Sequence, residues 1–116
     1  MKQEKISVLV IKPNEEPALE EIDNNLKACQ KVVGGWIEYV GLEDDIALIC
    51  NEEGKLDGLP ANRVFNLDFF QDTIMGTFFI TGTNDDGEFV SLKAKQIEKY
   101  TKLLSLGNGP VKTLNI

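Results

Sequence analysis

Histidine is absent from the sequence. That removes the side chain most used for acid–base chemistry near neutral pH, together with imidazole zinc sites and triads. Cysteine is scarce: Cys29 and Cys50 stand far apart, no Cys-x-x-Cys element occurs, and no metal shell can be assembled around them. Serine occurs only at Ser7, Ser91 and Ser105, none in a Gly-x-Ser-x-Gly elbow, and neither cysteine has a neighbouring histidine to lower its pKa. These absences argue against an enzyme, and neither a cofactor nor a metal is expected. Long apolar runs are missing too. The stretch after Met1-Lys2-Gln3-Glu4-Lys5 lacks the extended hydrophobic region of a secretory signal, and nothing approaches a membrane span, so a cytoplasmic location is expected. Positive charge is in deficit, with 12 basic against 19 acidic residues, a net charge of −7 and a pI near 4.5. Direct nucleic-acid binding through a general basic surface is disfavoured, because phosphate is repelled before any specific contact forms.

What is present describes one folded domain: 116 residues, 42% hydrophobic and 27% charged. The acidic excess is uneven. Residues 1–92 hold 18 acids and 7 bases, whereas residues 93–116 hold 1 acid and 5 bases. An acidic body of this kind suits solvation, or contact with a protein partner that has a basic surface.

Ile6-Ser7-Val8-Leu9-Val10-Ile11 is β-rich and nearly continuously apolar, as expected of a central strand covered on both faces. Leu19, Ile22, Leu26, Cys29 and Val33 recur at helical spacing, which predicts a helix with Pro17 in its first turn and Gly34 as its stop. Trp36–Val40 and Ile46–Cys50 read as a hairpin around Gly41-Leu42-Glu43-Asp44-Asp45. Residues 56–75 lack a clean period and read as irregular, with Asn62 a candidate cap for a short helical piece. Gly76–Gly82 predicts another strand, Asn84-Asp85-Asp86-Gly87 a tight turn leading to Phe89, and Ser91 the cap of a last helix carrying Leu92, Ile97, Tyr100, Leu103 and Leu104 inward to near Gly107. The expected fold is α+β: a mixed sheet of four to five strands with two helices on one face, in the order β-α-β-β-(irregular)-β-(β)-α. The domain is expected over 1–107, with 108–116 as a loose tail.

The blocks Val33-Gly34-Gly35-Trp36-Ile37-Glu38, Asn51-Glu52-Glu53-Gly54-Lys55, Leu59-Pro60-Ala61-Asn62-Arg63, Ile74-Met75-Gly76-Thr77-Phe78-Phe79-Ile80 and Phe89-Val90-Ser91-Leu92 carry a resemblance. Through them the chain resembles a family of small uncharacterised proteins, a domain of unknown function carried by phages, plasmids and conjugative elements of Gram-positive bacteria. The resemblance implies a setting in which small proteins regulate element transfer or counter host defences, and no activity.

The polar set Asn51, Glu52, Glu53, Lys55, Asn62 and Arg63 is the candidate binding cluster. Arg63 is the only arginine, and its planar fork suits carboxylate or phosphate better than lysine does. The alternative is internal: Arg63 pairs with Glu38 or Glu52 while Asn51 and Gly54 serve turn geometry. Gly34-Gly35 follows a helix and matches no phosphate loop. Glu43-Asp44-Asp45 and Asn84-Asp85-Asp86-Gly87 lack the spacing of a calcium loop. Trp36 and Tyr39 read as half exposed beside the hairpin, packed on the sheet rather than forming a stacking platform. The functional expectation is an acidic regulatory or interaction protein of a mobile genetic element that binds a basic protein partner. The alternative is a binder of an anionic or nucleotide-like small molecule near Arg63.

Overall fold

In the computed structural model the described residues are 3–112. Strand β1 (Lys5–Ile11) lies inside the sheet and buries side chains on both faces, as its unbroken apolar run requires. Its flanking strand is β2 (Ala18–Asp23), antiparallel over six residue pairs from Lys5↔Asp23 to Val10↔Ala18. This stretch was expected to open the first helix. Helix α1 instead spans only Leu26–Val33, capped by Asn25, whose Oδ1 accepts the Ala28 N–H at 2.8 Å, and ended by Gly34 at φ +82°. The free edge of β1 needs partners for its backbone groups, and pairing along the whole strand outweighs the helical spacing of Leu19 and Ile22.

The hairpin forms as expected from β3 (Ile37–Glu43) and β4 (Ile46–Asn51), with a register shift between Gly41 and Glu43. Residues 56–75 are not irregular throughout. They hold β5 (Ala61–Asn66) and β6 (Gln71–Met75), a separate two-stranded sheet, so Asn62 lies in a strand and caps nothing. From there the chain enters β7 (Phe78–Thr83), turns at Asn84–Gly87 as expected, and forms the short β8 (Phe89–Val90) beside β7. Helix α2 (Ala94–Leu103) is capped at Lys93, whose N–H donates to Gln96 Oε1 at 2.8 Å. Ser91, the expected cap, instead accepts the Ser7 N–H on its hydroxyl at 2.9 Å.

The α+β class holds, with more strands than expected. The main sheet runs β2-β1-β7-β4-β3, with β8 attached to β7. Every ladder between these strands is antiparallel, and parallel pairing among the described residues is confined to the single bridge Phe65↔Val111. Within the stretch expected as a tail, Val111 is buried and exchanges backbone hydrogen bonds with Val64 and Asn66; residues 113–116 lie outside the described residues.

The helices lie on opposite faces, not one. On the first face, Ile6, Val8, Val10, Ala47, Ile49 and Phe79 pack with Cys29 and Val33 of α1. On the second, Leu9, Ile11, Leu48, Phe78 and Ile80 meet Tyr100 and Leu104 from α2 and its end, and Phe65, Leu67 and Ile74 from the β5–β6 unit. Alternation explains that unit: Arg63, Phe65 and Leu67 are buried while Val64, Asn66 and Asp68 face out. Polar contacts pin α2 to the hairpin end, where Glu43 Oε2 accepts from the Tyr100 hydroxyl and from Lys99 Nζ, the latter at 3.1 Å. Burial, reinforced by that carboxylate, raises the Tyr100 pKa and keeps the phenol protonated.

Candidate functional site

The polar cluster divides. Asn51 ends β4 and is buried; its Nδ2 donates to the Val33 carbonyl at 3.2 Å, and its Oδ1 accepts the Glu53 N–H at 2.8 Å. It thus satisfies one orphan carbonyl at the end of α1 and shapes the turn after β4. Gly35 leaves room for it: a Cβ there would stand 2.9 Å from Asn51 Nδ2 and push the amide out of place. Glu52 is exposed, and its N–H donates to the Trp36 carbonyl at 2.8 Å. Lys55 is exposed and pairs with Asp72. These residues rim a cavity of about 130 Å³ whose walls include Glu38, Cys50, Phe70 and Ile74. Cys50 Sγ lies 3.8 Å from Glu38 Oε1, and its pKa is pushed up to about 12 by burial, with the charge of Glu38 adding to it. The thiol is held protonated, the opposite of a nucleophile.

Asn62 and Arg63 stay together but line a different cavity, of about 380 Å³, between β5 and residues 105–110. Asn62 Nδ2 donates to the carbonyls of Ile11 at 2.9 Å and Gly76 at 2.8 Å. Arg63 is 8% exposed. Its Nε donates to the Leu104 carbonyl at 2.9 Å, one terminal nitrogen to Asn62 Oδ1 at 2.9 Å, and the other to the Glu15 carbonyl at 2.6 Å. The fork therefore joins β5, the end of α2 and the loop before β2. Neither Glu38 nor Glu52 forms an ion pair with it. Burial lowers its pKa, opposed by the charge of Glu16.

A third surface lies around α1. Strand β3 is an outer strand of the main sheet. Within it Tyr39 is 56% exposed, just before it Trp36 is 64% exposed, and on α1 Leu26 is 55% exposed. Tyr39 stacks on Phe89 with ring centroids 6.5 Å apart, and a groove of about 320 Å³ between α1 and Phe89 is lined by Leu26, Cys29, Ile37 and Phe89 among others. The helical period placed Leu26 inward; the shorter helix turns it outward. Asn24-Asn25 was the missed signal, since paired asparagines favour a cap over a helix interior. Asn24 itself is buried, and its Nδ2 donates to the carbonyls of Gln3 at 2.8 Å and Phe89 at 3.0 Å, fixing the start of α1 against β8.

The described residues contain no group of three or more His, Cys, Asp or Glu side chains suited to a metal ion, and no helix long and apolar enough to cross a membrane. Fold and surface define a small α+β protein whose antiparallel sheet is covered heavily on one face and lightly on the other. The chain belongs to the family described as a domain of unknown function (DUF3846), whose model matches residues 5–105. Comparison with curated proteins and with solved structures returns no match.

Proposed function

We propose that this protein is a non-enzymatic interaction module, acting in the cytoplasm as part of a mobile genetic element, that binds a basic protein partner through the β3 edge. The observation that carries the reading is the outer strand β3. Of the two outer strands, β2 and β3, only β3 has large exposed rings, Trp36 just before it and Tyr39 within it. Large aromatics left open at the free edge of a strand are what a partner segment covers, with backbone hydrogen bonds supplying affinity and the rings supplying anchors. The partner's sign follows from the surroundings. Every acidic side chain except Glu43, Asp72 and Glu88 is exposed, and Glu38, Asp44, Glu52 and Glu53 lie on or next to the β3–β4 hairpin. A basic partner is steered toward such a surface, and a protein that ordinarily holds nucleic acid is the extreme case.

Affinity purification from the native host, with the wild-type chain and with the double variant Trp36→Ala/Tyr39→Ala, tests the reading. A basic protein retained at low salt, released as ionic strength rises and lost with the double variant is expected. Retention unaffected by both changes would overturn it.

A further inference from the structure

Arg63 carries an inference independent of the β3 edge. Its guanidinium stays charged in any protein setting and has five N–H groups. Three of them are used, each on a neutral acceptor: the Leu104 and Glu15 carbonyls and the Asn62 amide oxygen. One N–H on each terminal nitrogen is left over. Among the described residues no carboxylate lies within ion-pair distance of the side chain, although it is nine-tenths buried. A buried cation without a paired anion is costly, and structures that retain one supply the negative charge by some other route.

The cavity beside Arg63 is suited to supply it. At about 380 Å³ it is large enough for a small ligand, and its lining residues, among them Asn14, Asn62, Ser105, Gly107 and Gly109, include no aspartate or glutamate. Glu16, whose Oε1 accepts the Leu106 N–H at 2.9 Å, acts on Arg63 through its charge without forming an ion pair. We propose that Arg63, through the spare N–H on each terminal nitrogen and with Asn62 holding the fork in place, forms a binding site for the oxyanion group of a small ligand, a carboxylate or a phosphate, in the cavity between β5 and residues 105–110. Glu16, bonded to the lining residue Leu106, competes with the ligand for the charge of Arg63 and limits affinity.

The test is a titration of the isotope-labelled full chain followed by NMR, with inorganic phosphate in one arm and acetate in the other. Saturable shifts of the Arg63 Nε–H signal and of the Ser105, Gly107 and Gly109 amides are expected in at least one arm, and the arm that saturates first names the oxyanion. Glu16→Gln, which keeps the hydrogen-bonding shape and removes the charge, is expected to bind severalfold tighter. Arg63→Lys is expected to lose saturation. No saturable shift in either arm for the wild type, or Glu16→Gln binding no tighter than wild type, would overturn the proposal, and neither readout depends on Arg63→Lys folding.

Discussion

The two faces of the main sheet are built from one set of strands and yet are finished differently. The second face is covered by α2 and the β5–β6 unit, with Phe65 packed edge-on against both Phe78 and Phe70, at centroid distances of 6.0 and 6.3 Å. Tyr100–Glu43 and the Arg63 fork then tie its covering elements down. The first face has only the eight-residue α1, open grooves on both sides of it, and exposed Leu26, Trp36 and Tyr39 along its margin. A thick, cross-tied layer supplies stability, and a thin one leaves side chains available for contact.

That division is open to direct attack. The largest effect is expected on the thick side: Phe78→Ala should cost about 3–5 kcal/mol in urea unfolding, since the ring is fully buried and its neighbours cannot close the cavity. Asn51→Ala removes the shared partner of the Val33 carbonyl and the Glu53 N–H, and a loss of about 1–3 kcal/mol is expected. Next comes Asn25→Ala, which deletes the α1 cap for about 1 kcal/mol. Hydrogen exchange should quicken in α1 while α2 is little changed; equal acceleration in both helices would mean that the faces do not behave separately. Tyr39→Ala, which loses the stacking on Phe89, should cost up to about 1 kcal/mol, and Trp36→Ala, smallest of all, no more than about 0.5 kcal/mol, so that a loss of partner binding on Trp36→Ala reports contact rather than unfolding.

Cys50 adds a pH prediction on the thick side. Its thiol ionises at an ordinary 9.0 when unfolded but only near 12 when folded. The unfolded chain therefore loses this proton first, and stability should fall as pH rises through that interval. At pH 8, thiol reagents should label Cys50 only on unfolding; rapid labelling of the native protein at this site would contradict its burial.

Strongly patterned segments were legible. Ile6–Ile11, Ile46–Cys50 and Phe78–Thr83 became the inner strands, and both cysteines are buried at positions their apolar neighbours predicted. Two errors share a cause, in that one pattern satisfied two structures. Leu19 and Ile22 fit a helical stripe as well as a strand, and the choice fell to the unpaired edge of β1. Residues 63–67 alternate cleanly in the fold, but the alternation hid behind a buried arginine at Arg63 and an exposed Val64. The candidate cluster was legible as residue types but not as a place: Asn51, Glu52 and Lys55 line one cavity and Asn62 and Arg63 another.

By itself the sequence determined the α+β class, the inner strands, the hairpin and an acidic surface, because each depends on local pattern and composition. Only the tertiary structure decided that the helices take opposite faces, that Arg63 is buried without a paired carboxylate, and that Trp36 and Tyr39 stand open at an outer strand. Those outcomes depend on which elements meet across the sheet. Contacts between residues distant in sequence set that choice, and no window along the chain contains them.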